Sequence, residues 1–374
     1  MSTPKVLLLT SIMAPHRIAP FNALAADPAV DLEVIFLART DPSRQWEVHE
    51  DEMRFSHRNL REIWRTRRGA AFTHLTSGLA RVLRDVRPDV LLVGGWDQLA
   101  HLEAFVLRRR IAGAFVWWVE GTLRDQRENL EAIRHVKRRL VEAADAVVVP
   151  GLASAEYVRA LGAIPSRVFV APNAVDNGLY AAARAGDRAS RTGPVRFLFV
   201  GRLESSKGVL PLLDAWTGIT DDAELTLVGD GSLGERVRER VARAAMPPIR
   251  TLGHRDREEL AGEYARADVF VFPSVSDTWG VVINEAMASG LPVVTTSAPG
   301  AVDDLVANGE NGIVVPPFDA GALGGAMEEL ARDPERRRAM GRRSAERIRV
   351  QTPEAWAVGM REAALASLEL SRTG

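Results

Sequence analysis

Asp277 and Glu285 stand eight residues apart around Thr278-Trp279-Gly280-Val281, in a stretch that opens on the apolar run Val269–Phe272 and closes on the β-branched run 292–296. The pattern reads as strand, loop, helix and strand. Gly280 lets a backbone approach a ligand closely, and the helix that follows offers unpaired N–H groups and the positive end of its dipole. Such a place suits an anion or a polar ring, with two carboxylates to flank it. Taken singly, Asp277 also reads as a turn residue and Glu285 as an acid favoured near the start of a helix.

A second constellation lies in VRFLFVGRLESSKG at 195–208, again a strand, a loop and a helix start. Gly201 frees the turn, and Arg202 and Lys207 fall at the carboxyl edge of the sheet, where an arginine fork and a compact ammonium suit a diphosphate. Lys207 is set apart by composition: of 48 basic residues only Lys5, Lys137 and Lys207 are lysines. An ammonium differs from a guanidinium in reach and hydration, which is a reason to keep one. Ser206 before Lys207 and Gly208 after it do not fit a phosphate-loop triphosphatase, and GxGxxG is absent from this loop, which weakens a nicotinamide reading. Gly229-Asp230-Gly231-Ser232 ends the next strand, so Gly229 and Gly231 bring a third tight turn to the same edge. No Asp-x-Asp pair falls at a strand end, and no metal is expected.

The elements that position these residues alternate strand and helix along the whole chain. In the first half, strands are expected at 5–10, 31–38, 90–93, 115–120, 146–149 and 168–170, with helices from about Pro20 and over 73–87, 98–112, 130–143 and 154–161. A basic irregular stretch follows 31–38. Residues 172–194, rich in small residues, read as an interdomain linker. Alternation restarts at Val195 and continues beyond Arg332. This is the α/β class: two doubly wound, Rossmann-like domains over 1–177 and 178–354, with a ligand cleft between them as the default site. The length of 374 residues agrees with two cores.

Hydrophobic and charged fractions of 46% and 26% are those of a soluble globular chain. Without cysteine there is neither a disulfide framework nor a thiolate zinc site. The apolar run in MSTPKVLLLTS is too short for a signal peptide, and no segment is long enough to span a bilayer, so a cytoplasmic protein is expected. A net charge of −1 gives no support to nucleic-acid binding. Two local surpluses stand out. Arg54, Arg58, Arg61, Arg65, Arg67 and Arg68 oppose Glu62 in 53–70, and nine basic residues oppose four acids in 108–139. Each is either a solvated face or a contact for a phosphorylated acceptor or an anionic membrane, with peripheral attachment at the inner face.

With these residues in view, the chain resembles the retaining glycosyltransferases of the two-Rossmann-domain type, the GT-B architecture of family 4, glycosyl transferases group 1. The resemblance rests on VGRLESSKG at 200–208, VGDGS at 228–232, LGHRDREELAGEYARADVFVFPS at 252–274, DTWGVVINEAMASGLPVV at 277–294 and PNAVD at 172–176. It implies a UDP- or GDP-sugar donor, a glycan, lipid-linked or small-molecule acceptor, and no cofactor. Arg202 and Lys207 would stabilise the departing diphosphate, Asp277 would contact the donor sugar in place of the usual Glu, and Glu285 would hold the ribose hydroxyls. Gly201, Gly229, Gly231, His254, Arg255, Thr278, Trp279, Gly280 and Val281 would line the donor. In the first domain Met13-Ala14-Pro15-His16-Arg17 stands where the family often carries a Gly-Gly pair, Glu120 is the position nearest to a His that often contacts the donor sugar, and His16 and Arg17 are alternative cleft residues. A terminal helix over about 355–374 would return to the first domain. A sugar-nucleotide epimerase on the same fold and a non-catalytic sugar-nucleotide-binding protein are the competing readings.

Overall fold

A computed structural model describes residues 3–41, 46–68, 71–124, 131–185, 193–219, 222–243 and 246–373. The chain divides into two compact units. Unit 1 comprises Met1–Ala174 and Thr352–Gly374, and unit 2 comprises Val175–Gln351.

Unit 1 contains β1 (Lys5–Ile12), α1 (Pro15–Ala25), β2 (Asp31–Ala38), β3 (Ser56–Asn59), β4 (Arg61–Arg68), β5 (Ala71–Ser77), α2 (Leu79–Val86), β6 (Val90–Gly94), α3 (Leu99–Ile111), β7 (Ala114–Trp118), α4 (Glu131–Glu142), β8 (Ala146–Val149), α5 (Leu152–Ala160) and β9 (Val168–Val170). Seven of its strands form one sheet in the order β3-β2-β1-β6-β7-β8-β9, parallel in every pairing. The strands are nearly continuous apolar runs because both sheet faces are covered. Each face buries its own set of side chains: Phe21, Phe36, Phe55 and Trp118 belong to one core, and Leu83, Phe115, Trp117 and Val158 to the other.

The structure corrects three expectations in this unit. Helix α1 begins at Pro15, not near Pro20, because proline is at home in a first turn, where its missing N–H costs nothing. His16 and Arg17 therefore sit on that turn and not in a loop. The stretch after β2 is not irregular: it supplies β3 and the antiparallel pair β4–β5. The helical periodicity over 73–87 spans two elements, strand up to Ser77 and helix only from Leu79, with Gly78 at φ 92° between them.

Unit 2 contains α6 (Asn177–Ala185), β10 (Val195–Val200), α7 (Val209–Trp216), β11 (Ala223–Val228), α8 (Gly234–Arg243), β12 (Ile249–Gly253), α9 (Arg257–Arg266), β13 (Val269–Phe272), α10 (Val281–Ala288), β14 (Val293–Thr296), α11 (Val302–Leu305), β15 (Gly312–Val315), α12 (Ala320–Arg332) and α13 (Pro334–Arg347). Its six strands run in the order β12-β11-β10-β13-β14-β15, again all parallel. The linker expected over 172–194 is in part helix α6, whose Tyr180 is buried in the core of this unit. Residues 186–192 of that expectation lie outside the described residues.

After unit 2 the chain returns to unit 1 as α14 (Pro353–Thr373). Trp356 is fully buried, with ring centroids 5.5 Å from both Phe21 and Trp118. Gly359 permits the approach, since a Cβ there would lie 2.1 Å from the Val170 carbonyl oxygen. Arg361 adds a 2.8 Å hydrogen bond to Asp27. Truncation of Trp356 to alanine is expected to cost about 3–5 kcal/mol in urea unfolding of the transition that reports unit 1. Trp356→Phe is expected to cost far less, because the indole N–H has no hydrogen-bond partner among the described residues to lose.

Candidate donor site at the switch point of unit 2

In an open parallel sheet, ligands collect beyond the carboxyl ends of the strands where the strand order reverses direction. In unit 2 that point lies between β10 and β13, which are neighbours although two strands intervene in sequence. The loop after β10 carries Gly201, Arg202 and Lys207; the loop after β13 carries Asp277, Thr278, Trp279 and Gly280.

Backbone contacts bind the two loops together. Val275 N–H donates to the Ser206 carbonyl at 2.9 Å, and the Ser274 hydroxyl donates to the same oxygen at 2.9 Å. At Gly208, φ is 70°, and a Cβ would lie 1.9 Å from the Pro273 carbonyl oxygen. The loop after β11 is drawn in as closely: φ is 129° at Gly229, where a Cβ would lie 2.0 Å from the Gly201 carbonyl oxygen. Neither position tolerates a side chain without moving backbone.

This closeness brings the charged groups together. Lys207 Nζ donates to Asp277 Oδ2 at 2.6 Å, and the two side chains are only 13% and 19% exposed. Asp277 Oδ1 accepts the Trp279 N–H at 3.3 Å, so both of its oxygens are engaged within the site. Arg202 pairs with Glu204 at 2.8 Å. Gly280, at φ 95°, starts α10, and Val281 is its first residue. Trp279 does not present its ring to a ligand: it is buried and donates its indole N–H to Asn284 Oδ1 at 2.9 Å. His254 is exposed just after β12, and Arg255 pairs with Glu259 at 3.9 Å. Among the described hydrogen bonds and ion pairs, neither joins the Lys207–Asp277 cluster.

Glu285 lies in the second turn of α10, deeper than its place in the sequence suggests. Tyr264 of α9 donates its hydroxyl to Glu285 Oε2 at 2.8 Å, and Tyr180 of α6 brings a second phenol to the carboxylate, its ring edge-on to Tyr264 at 5.6 Å. Burial pushes the Glu285 carboxyl up to about 7, and the two phenol hydrogen bonds only partly offset it. Burial first, and then the same carboxylate, holds both tyrosine hydroxyls well above their ordinary range. Sequence reasoning missed both partners. One signal was available, since the chain has only three tyrosines and two of them converge here.

In unit 1, two residues nominated separately meet. Arg17 forms an ion pair with Glu120, donates to Asn173 Oδ1 at 2.8 Å and lies 4.4 Å from the centre of the Trp118 ring. Asn173 donates to Glu120 Oε1 at 3.0 Å. These contacts tie together the carboxyl ends of β1, β7 and β9, and they engage one oxygen, Oε1, of the Glu120 carboxylate. His16, next to Arg17, is partly buried. Asn173 was legible only as part of PNAVD.

Two family models match the chain: "Glycosyl transferase 4-like domain" over residues 22–174 and "Glycosyl transferases group 1" over residues 194–333. Glycogen synthase of Mycobacterium tuberculosis is 30% identical over 285 residues, covering 71% of this chain and 65% of the relative. D-inositol 3-phosphate glycosyltransferase of Kineococcus radiotolerans is 34% identical over 244 residues, 56% of this chain and 54% of the relative. The chain thus matches about half to two thirds of the length of these curated relatives. Among solved structures, Anabaena HepE in complex with UDP and glucose superposes with a TM-score of 0.73 at 19% identity, covering 96% of this chain and 98% of HepE. Sucrose-phosphate synthase from Thermosynechococcus elongatus gives 0.72 at 22% identity, with 96% and 98% covered. With both halves matched in order and a Rossmann-like sheet in each, the chain belongs to the group 1 glycosyltransferases of the GT-B fold, family 4 type.

Proposed function

We propose that unit 2 binds a nucleoside diphosphate sugar and that the chain transfers the sugar to an acceptor hydroxyl, with the anomeric configuration retained and without a metal. The observation that carries this reading is the Lys207–Asp277 pair at the switch point, with Arg202 on the same loop as Lys207. HepE, in complex with UDP and glucose, and glycogen synthase, as relatives, support a nucleotide-sugar donor.

In this reading the bond from the anomeric carbon to the diphosphate breaks while the acceptor oxygen bonds to the same carbon, and the hydroxyl proton passes to the departing phosphate. The negative charge that builds on the diphosphate is met by Arg202 and Lys207, where electrostatic stabilisation contributes most. Asp277 holds Lys207 in place and, through its second oxygen, the start of the Trp279-Gly280 turn. Glu285, with two phenols already donating, keeps lone pairs for the ribose diol. The acceptor, a glycan, a lipid-linked sugar or a small molecule, is assigned to unit 1.

Lys207→Ala is expected to keep its fold by circular dichroism and to lose about a hundredfold in turnover; full activity would remove Lys207 from the role given to it. Turnover is expected to survive excess chelator. Incubation with donor alone is expected to leave the sugar nucleotide unisomerised, where an epimerase would convert it.

Glu285 tests the same site from the side of stability. The folded chain holds this proton up to about pH 7, whereas a free glutamate releases it near 4.5. Between those values the folded state binds more protons than the unfolded, so stability falls as pH rises through the window, by about 3 kcal/mol in all. Glu285→Gln is therefore expected to raise Tm above wild type at about pH 8, the gain vanishing near pH 4.5, while UDP or GDP binding, measured by calorimetry, is lost. Equal Tm values at both pH values would show that the carboxylate is not held at a cost.

A further inference from the structure

Glu285 is held from two sides. Tyr264 of α9 is fully buried and donates its hydroxyl to Glu285 Oε2 at 2.8 Å. Tyr180 of α6, also buried, brings its hydroxyl to the same carboxylate. The two phenol rings meet edge-on at 5.6 Å, and Tyr264 packs on Phe270 of β13 at 5.7 Å. Two helices thus converge on the carboxylate of a third, and the rings that carry the hydroxyls are fixed in the core of unit 2.

A tie between three helices needs only a neutral acceptor, and a glutamine offers one without the cost of a buried carboxylate. The carboxylate also has capacity to spare. Two phenol donors leave about two of its roughly four lone-pair sites open, and Glu285 is still 8% exposed, on a helix that begins directly after the Asp277–Gly280 loop. A vicinal diol presents two O–H donors side by side, which is what those sites can take.

We propose that Tyr180 and Tyr264 are positioning residues for the donor: their hydroxyls hold the Glu285 carboxylate open to both ribose hydroxyls, and this buried triad makes donor affinity depend on pH around neutrality. The inference rests on the reading of unit 2 as the donor site. A protonated Glu285 has less capacity to accept from a diol, so the donor binds the ionised form. Burial holds the proton on Glu285 up to about pH 7, and the phenols, by bonding the charged form, act against burial. Affinity therefore falls as pH drops below that value, and removal of either hydroxyl moves the fall to higher pH.

Among the described residues the two phenols are the groups that act on this carboxyl; α13, β14 and the turn at 348–350 also pack on α10 and contribute no charge to it. Arg257 of α9 and Asp176, just before α6, act on Tyr180 in opposite senses. Both phenols stay protonated through the neutral range, because burial and the Glu285 charge hold them well above their ordinary values.

The test is calorimetric titration of the full chain with UDP and GDP, and with the 2′,3′-dideoxy form of the tighter binder. The ratio of the two affinities, ribonucleotide over dideoxy form, cancels the titration of the phosphates. In wild type this ratio is expected to fall by up to about tenfold per pH unit below about pH 7. In Tyr180→Phe and Tyr264→Phe, which keep the rings, the fall is expected to begin about one pH unit higher, with wild-type affinity recovered by about pH 9. A ratio that does not change with pH in wild type overturns the inference, as does a wild-type profile in both variants or a loss that is equal at every pH. Glu285→Gln separates these outcomes from failure of the donor site. If it binds the ribonucleotide as tightly as wild type, or if neither diphosphate binds wild type, the donor reading itself falls and takes this inference with it.

Discussion

The carbonyl oxygen of Pro273 and the α-carbon of Gly208 are so close that no side chain fits between them, and the site in unit 2 depends on that contact. It draws the loop after β10 against the loop after β13, and only then can Lys207 reach Asp277. The same crowding recurs one strand over, between Gly229 and Gly201. Main chain packed on main chain is stiff, so the charged groups at this edge are held in place before any ligand arrives. For the transfer proposed above, whose difficulty would be the departure of an anion, such prepared electrostatics would be the largest catalytic resource.

Glu285 shows the other side of the same arrangement. Its burial destabilises the charged form near neutrality, and two tyrosine hydroxyls reduce that penalty without abolishing it. A glutamine, whose amide oxygen can still accept from a phenol without a buried charge, would fold there at less cost near neutrality. A group kept in an unfavourable environment is a common mark of a binding or catalytic site. The Arg17–Glu120–Asn173 cluster in unit 1 is different in kind: each charge there is matched by a neighbour, and the result is a tie between three strand ends.

Most of the fold was legible because parallel strands buried on both faces appear as short apolar runs, and these fall at regular intervals between helical stretches. The errors have physical causes. Gly78 separates a strand from a helix whose combined pattern mimics one longer helix, and β4–β5 is masked by a density of arginine that suggests no regular structure. Helix α6 was read as linker because small residues dominate it, although Tyr180 anchors it. At the site, Arg202, Lys207, Asp277 and Glu285 were visible through residue type and spacing. Their partners Glu204, Tyr180 and Tyr264 were not, because no periodic signal links residues that meet only through the folded sheet.

Helix α14 gives the chain a temporal asymmetry. Unit 2 holds every one of its strands and helices between Val175 and Gln351, whereas unit 1 needs Trp356, Ala357 and Met360 to complete one of its two cores. During synthesis from the amino terminus, the unit that begins first is therefore the one that finishes second. Until α14 emerges, Phe21 and Trp118 lack their aromatic partner and one face of the first sheet stays open. The vulnerable period in this chain's biogenesis is the interval in which unit 2 is already complete and unit 1 still waits for its closing helix.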